Sequence, residues 1–430
     1  MQRVDPLISL PSVLSCIILQ EWLNLKSVMA LDSAYCCHSH RNEFLGLLQS
    51  NEYFIREKVT ISNRKTVRHF PIRLNLFQRF GEKFRSVEFS GAELVPEHSA
   101  LIHANCHNLT HIMIYGDEDS FTPELWSLLK NNPNIEALGL DTENWVESAI
   151  PLLLSLSDID LLKLNTLAVV SCIFEDDNIL TVIKARNIVR LDLPYCEFAS
   201  NILIRIVDLC PRLSSICLMS CWPVTNEDLS AFATMCPFIV HMDISNAQGM
   251  TDDGILSIVL NLKGLQFLNI ENVVHVTDLS LVHIYTHCAS TLHTLYLDYS
   301  FGTETPFSGD AVNILMERCT QLQLISVIGR CTTPLVLSPA AIRNISTFYF
   351  YGQPAMEQNL ATIGANGDCI EELAVFGDYA YTHDSLLNLV NGCPNLKQLM
   401  VQHRPYTNIP EYLKTAYWSE IRPNLRIRVF

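Results

Sequence analysis

Thiols and imidazoles are the residues of this chain best suited to chemistry: it has fifteen cysteines and fourteen histidines. Their densest grouping is Cys36-Cys37-His38-Ser39-His40. A structural zinc site takes two ligand pairs separated by a loop, and no second pair stands in register with this one. The histidines are scattered, with no i, i+4 pair beside a glutamate of the kind that holds a catalytic zinc. No glycine-rich loop is present to cradle phosphate, and no nucleophile elbow places a serine on a strand-to-helix turn. Asn108-Leu109-Thr110 and Asn344-Ile345-Ser346 spell glycosylation sequons, but each has an apolar residue of the repeat described below at its centre. The residues therefore predict a non-catalytic chain with no metal and no cofactor.

The totals point the same way. Of 430 residues, 49% are apolar and 17% charged, which is ample material for a core. The formal net charge is −16. Nucleic-acid binding needs cationic side chains to displace phosphate counterions, so DNA and RNA are poor partners and a basic protein is a better one. An odd number of cysteines, many at fixed places in a repeat, fits free buried thiols in a reducing compartment. The stretch Leu7 to Leu25 contains Pro11, Gln20 and Glu21 and lacks a clear cleavage site, so it does not read as a signal peptide. No uncharged run of 18 apolar residues occurs, so no membrane span is expected. Cytoplasm or nucleus is the expected location.

The elements that position these residues follow from a repeat. An apolar residue, two others, an apolar residue, one other and an apolar residue recur from Phe84, Leu109, Ile135, Leu164, Ile188, Leu213, Ile239, Leu265, Leu292, Leu322, Ile345, Ile370 and Leu396. The steps run from 23 to 30 residues and centre on 26. The last four residues of each hit alternate with period two, which predicts a short strand with one buried face. Between hits, apolar residues fall at helical spacing, as in Leu203, Ile206, Val207 and Cys210. One strand and one helix cannot bury a core alone, so the units must stack, strands lining the inner side. Thr225, Thr251 and Thr277 each lie 12 residues after a repeat start and are followed by acids or amides, a helix-capping signature. Cys106, Cys210, Cys236, Cys319 and Cys393 mark helix ends three residues before the next repeat. Cys172, Cys196 and Cys221 sit eight residues after a repeat start, in the turn after the strand. Later repeats carry Ser300, Arg330, Gln353 and Asp378 there, which predicts looser turns.

The stretch from Cys210 to Pro237, CPRLSSICLMSCWPVTNEDLSAFATMCP, resembles the cysteine-containing leucine-rich repeat of F-box/leucine-rich-repeat proteins. Residues 84–430 fit this pattern, with Asn424–Phe430 departing from the spacing and reading as a capping strand. The resemblance implies an α/β fold: a leucine-rich-repeat solenoid of about 13 repeats, a horseshoe with parallel strands inside and helices outside. Residues 5–50 differ in character. Leu10-Pro11, Leu14, Ile17, Ile18, Leu23, Leu25 and Val28 resemble an F-box, although the Arg and Trp expected near Cys36-Cys37 are missing. That resemblance implies that Leu10, Pro11, Leu14, Ile17, Ile18 and Leu23 face the Skp-type adaptor of a cullin ubiquitin ligase. Residues 51–83, locally basic, read as a connector.

Strand residues pointing away from the core are the binding candidates. In order they are Arg190, Asp192, Cys217, Met219, His241, Asp243, Phe267, Asn269, Glu271, Thr294, Tyr296, Asp298, Ser326, Ile328, Tyr349, Tyr351, Glu372, Phe376, Met400 and Gln402. They contain an acidic track, Asp192, Asp243, Glu271 and Asp298, and an aromatic group, Phe267, Tyr296, Tyr349, Tyr351 and Phe376. Neighbouring exposed aromatics mark protein-binding hot spots, and the acids favour a partner segment rich in Lys or Arg. With the F-box resemblance, this predicts a substrate receptor of an SCF-type ubiquitin ligase. The alternative is a stand-alone interaction scaffold or inhibitor whose N-terminal helices cap the array.

Overall fold

The computed structural model describes residues 44, 47–48, 59–62, 81–90, 96–116, 123–146, 156, 159, 161–174, 177–184, 186–199, 201–300, 303–351, 355–377, 382–402 and 422–429. The chain divides into two compact units, Met1–Ile188 and Val189–Phe430.

The first unit contains strands β1 (Val59–Ser62), β2 (Ser86–Ser90), β3 (His111–Gly116), β4 (Ala137–Val146) and β5 (Thr166–Phe174), all parallel and paired in chain order. Helices α1 (Pro96–Asn105) and α2 (Pro123–Lys130) connect successive strands, and α3 (Asn178–Lys184) follows β5. β1 lies within the segment read from sequence as a connector, and it aligns Val59 with Val87 of β2.

The second unit contains β6 (Arg190–Asp192), β7 (Glu197–Phe198), α4 (Ile202–Leu209), β8 (Ser215–Cys217), α5 (Asn226–Met235), β9 (His241–Asp243), α6 (Asp252–Asn261), β10 (Phe267–Asn269), α7 (Asp278–His287), β11 (Thr294–Tyr296) and α8 (Gly309–Arg318). It continues with β12 (Leu324–Val327), α9 (Pro339–Ile342), β13 (Thr347–Tyr351), α10 (Met356–Asn366), β14 (Glu372–Phe376), α11 (His383–Gly392), β15 (Gln398–Val401) and β16 (Arg426–Val429). Except for β7, these strands form one parallel run in which each pairs with the next. β16 is the strand expected near the C-terminus.

All thirteen predicted strands are present, and each begins two residues after the first apolar residue of its repeat. Those thirteen residues, from Phe84 to Leu396, are at most 2% exposed. Fully burying a side chain of this size stabilises by roughly 1.5–3 kcal/mol. The helices complete the core from the other side: α4 buries Ile202, Leu203, Ile206 and Val207.

The helix starts carry a feature that the sequence shows only in part. Thr225, Thr251 and Thr277 are N-caps, as expected, and Ser308, Ser338 and Thr382 join them. Thr225 closes a capping box with Asp228. Thr225 N–H stays within this box, but the N–H of the later caps is accepted by the preceding repeat. Thr251 N–H donates to Asn226 Oδ1 (3.1 Å), Thr277 N–H to Asp252 Oδ1 (2.9 Å), and Ser308 N–H to Asp278 Oδ1 (2.7 Å). Ser338 N–H donates to Asn313 Oδ1 (2.8 Å), and Thr382 N–H to Glu357 Oε1 (3.2 Å). Acids and amides in the first turns, and Asn313 one turn further in, thus reach across to the next helix.

Cysteines follow the same economy. The twelve described cysteines are all free, and those at helix ends are buried. Cys288 belongs with them, displaced by one residue because four residues separate it from Leu292 instead of three. In the segments after β11 and β12, Tyr299 and Cys331, neighbours of Ser300 and Arg330, are buried; Gln353 and Asp378 lie outside the described residues.

Asp252 is the most heavily used member of the relay: it accepts from the N–H and hydroxyl of both Thr277 and Ser280. Partial burial alone would raise its pKa, but these four hydrogen bonds outweigh it and hold the carboxyl below the usual aspartate range. Asp252→Ala leaves those donors without their acceptor and should destabilise the array by about 2–3 kcal/mol, read as a lower urea midpoint. A depressed carboxyl stabilises above its unfolded pKa, so the gap between wild type and variant should be full at neutral pH. It should close as pH falls below about 4, towards the folded pKa.

Candidate partner-binding face

Strand register fixes which side chains share the open face of the second unit, the face away from the helices. The first row runs Arg190, Ser215, His241, Phe267, Thr294, Leu324, Thr347, Glu372, Gln398 and Arg426. The second runs Asp192, Cys217, Asp243, Asn269, Tyr296, Ser326, Tyr349, Ala374, Met400 and Arg428. A third lies two residues further on and includes Ser245, Glu271 and Asp298, where Asn246 N–H donates to the Glu271 carbonyl and Asn272 N–H to that of Asp298.

The aromatic residues form a stripe that crosses these rows obliquely. The His241 and Phe267 rings lie 5.9 Å apart, and those of Phe267 and Tyr296 lie 5.8 Å apart at 50°. Tyr349 stands in the same row as Tyr296, two strands on. His241 is exposed; Phe267, Tyr296 and Tyr349 are half-buried. Tyr351 is different. Although alternation puts it on this face, it is only 7% exposed, and its strand partner is Phe376. Two large rings share that end of the face, so Tyr351 is not an accessible contact residue.

The four acids do not form one row. Asp192 and Asp243 lie in the second, and Glu271 and Asp298 in the third, because Asn269 takes the second-row place on β10. Their duties differ as well. Asp192 pairs with Arg190 at 2.7 Å, at the first strand of the unit. Asp243 accepts from the N–H and hydroxyl of Ser245 (3.0 and 2.7 Å) and from Asn269 Nδ2 (3.1 Å). Asp298 accepts from the Ser326 hydroxyl and from Ile328 N–H (2.8 Å). Burial raises its pKa, and those two donors oppose the rise. Glu271 uses only its backbone: its N–H donates to Asn269 Oδ1. No donor among the described residues reaches its carboxylate. Burial, then the charges of Asp298 and Asp243, raise its pKa.

The tyrosines feel the same field. Burial first, then Asp298, Asp243 and Glu372, raise the Tyr296 pKa. Tyr349 is raised by burial and by its hydrogen bond to Glu372, whose carboxylate also accepts from Gln398 Nε2 (2.8 Å). Phenols raised in this way stay protonated hydrogen-bond donors at neutral pH. His241 and Glu372, outward residues by sequence, thus belong to the same cluster. Phe376 stands on β14 beyond it.

The remaining expectations fall elsewhere. Leu10, Pro11, Leu14, Ile17, Ile18 and Leu23, and the Cys36–His40 run, lie outside the described residues. Among the described residues no group of three or more His, Cys, Asp or Glu side chains is placed to hold a metal. No helix among them is long and apolar enough to cross a membrane.

Stacked strand–helix repeats with a parallel sheet and this buried frame define a leucine-rich-repeat fold. No family model and no curated protein matches the sequence. Among solved structures, the yeast Rad7 chain from a complex of Rad7 and Elc1 is similar over 97% of this chain and 91% of its own, with a TM-score of 0.51 and 12% identity. The TLR13 chain of a TLR13–ssRNA13 complex matches over 81% of this chain, with a TM-score of 0.43 and 13% identity. This chain covers 46% of that TLR13 chain. An internalin from Listeria monocytogenes matches over 69% of this chain and 86% of its own, with a TM-score of 0.41 and 13% identity.

A raised carboxyl lowers stability at pH values above its folded pKa. Replacing Glu271 with glutamine removes a charge that no donor among the described residues compensates. Glu271→Gln should be at least as stable as wild type in urea at pH 7.5. Any advantage should shrink as pH falls through the folded pKa of Glu271 and vanish below its unfolded value, about 4.3, where the carboxyl is neutral in both states.

Proposed function

We propose that this chain is the substrate-recognition subunit of an SCF-type ubiquitin ligase. In this reading the N-terminal segment docks the Skp-type adaptor, and the open face of the repeat sheet holds a target protein. One observation carries the reading: the F-box-like pattern of Leu10, Pro11, Leu14, Ile17, Ile18 and Leu23 precedes a repeat array whose sheet presents an aromatic stripe. Half-buried rings on a rigid sheet provide large contact area at little entropic cost, the usual make-up of a hot spot. The Rad7 chain, similar over 97% of this chain, was solved in a complex with Elc1, a precedent for such an array holding a second chain.

The chain performs no bond chemistry in this role. It holds the target beside the ubiquitin-carrying enzyme of the ligase, which raises the effective concentration of the target's lysines.

Co-expression with a Skp-type adaptor tests the adaptor end. Wild type should co-purify at one-to-one stoichiometry, and Leu14→Asp with Ile17→Asp should abolish the association. Wild type that ignores the adaptor would favour the stand-alone scaffold. At the other end, Tyr296→Ala with Tyr349→Ala should lower the recovery of proteins crosslinked to the chain, while its circular dichroism and urea midpoint stay near wild type. Recovery equal to wild type would remove this face as the target site.

A further inference from the structure

We propose that the aromatic stripe takes an extended basic segment of a protein partner, one arginine guanidinium stacking on Phe267 and Tyr296 and pairing with the Glu271 carboxylate. The inference rests on reading this face as the partner-binding surface, and it names the chemistry of what binds there.

Charge complementarity identifies the occupant. Across the three rows from β8 to β15 the face carries Asp243, Glu271, Asp298 and Glu372 and no Lys or Arg. Arg190, at the near end, is already paired with Asp192. Three of the four carboxylates have donors from the fold itself: Asp243 from Ser245 and Asn269, Asp298 from Ser326 and Ile328, and Glu372 from Gln398 and Tyr349. Glu271 has none among the described residues, so its negative charge is left for a group from outside.

Geometry selects the kind of cation. Asn269 aligns with Tyr296, and Glu271 lies two residues beyond Asn269 on the same face. The Cα atoms of Glu271 and Tyr296 are therefore diagonal neighbours, about 8 Å apart from strand spacing and rise. A planar guanidinium can lie flat on a ring and turn its N–H fork to a carboxylate at that range; a lysine ammonium offers neither the flat face nor the fork. The Phe267 and Tyr296 rings, tilted by 50° and half-exposed, present such faces.

The stripe also sets the length of the occupant. From β9, which carries His241, to β13, which carries Tyr349, it crosses four strand spacings, about 19 Å at ~4.8 Å each. An extended peptide covers that span with about six residues.

Fluorescence anisotropy on the full chain provides the test, using labelled hexapeptides of three Gly-Arg repeats and their Lys and citrulline counterparts. The Arg peptide should bind at least ~5-fold more tightly than the Lys peptide and ~10-fold more tightly than the uncharged citrulline peptide. Glu271→Gln should weaken the Arg peptide about 10-fold, and Phe267→Ala at least ~3-fold. Glu227→Gln, at an exposed acid on the helix side, should change nothing. Equal losses from Glu271→Gln and Glu227→Gln would reduce the effect to bulk charge and overturn the inference. So would equal binding of the Arg and citrulline peptides, or no binding at all. If Tyr296→Ala with Tyr349→Ala loses crosslinked proteins that Glu271→Gln retains, the face binds through apolar contacts: the partner-binding reading stands and the arginine inference falls. Adaptor co-purification bears on neither result.

Discussion

In the second unit, polar groups at several helix starts find their partners on the neighbouring repeat. The N–H of Thr277 has no acceptor of its own; Asp252, 25 residues earlier, supplies one. The same step recurs from Asn226 to Thr251 and from Asp278 to Ser308. Strand N–H groups are likewise met by the adjoining strand, as where Leu218 donates to Asp243 and Ile244 to Asn269. Each such hydrogen bond contributes about 0.5–1.5 kcal/mol, so a shift of one repeat against the next would lose several at once. This double lock, helix to helix and strand to strand, holds the rows of the open face in line. The spacing of the aromatic stripe is a consequence of it.

Within that frame, side chains of one chemical type divide by task. Asp243 and Asp298 finish strand ends by accepting backbone N–H groups, a structural duty that any partner must leave undisturbed. Glu271 does nothing of the kind. It is half-buried beside two other carboxylates, and its charge is a burden on the folded chain. A group that weakens the fold and serves no contact within it is typical of a surface shaped for binding, because stability and function place opposite demands on the same position.

Periodicity exposes the strands so completely because each has only one buried face and the frame places Leu, Ile or Phe at its head. β1 escapes for a local reason. In the sequence Arg56 stands three residues before Val59, where the frame takes its first apolar residue, so Val59 and Ile61 alone do not complete the pattern. Cys288 is off by the single residue added before Leu292. The cap threonines could be read because their type and offset are both distinctive. Their true acceptors could not, since the link spans 25 residues and depends on the stacking. Alternation correctly puts His241, Phe267, Tyr296 and Tyr349 on the open face. It cannot show that Phe376 stands beside Tyr351 on the neighbouring strand, or that among the described residues no donor reaches the Glu271 carboxylate. Both are properties of neighbouring strands rather than of one.

Cysteines answer the helix starts at the other end of many of the repeats. Cys236 Sγ donates to the Cys210 carbonyl at 3.3 Å, and Cys393 Sγ to that of Ile363 at 3.5 Å. Both carbonyls already accept a backbone N–H, from Leu213 and Gly367, so each thiol adds a second, weak donor, as suits a small apolar residue with one weak proton to give. Burial pushes Cys106 and Cys319 up to about 12 and Cys236 up to about 11, so these thiols stay protonated at neutral pH. Protonation keeps them donors and also makes them poor nucleophiles and poor metal ligands, since both tasks need the thiolate. Serine would present a more polar hydroxyl to an apolar seam, and alanine would offer no donor. The residue that looked most chemical in the sequence is therefore kept for its inertness, and the recognition falls to the open sheet face.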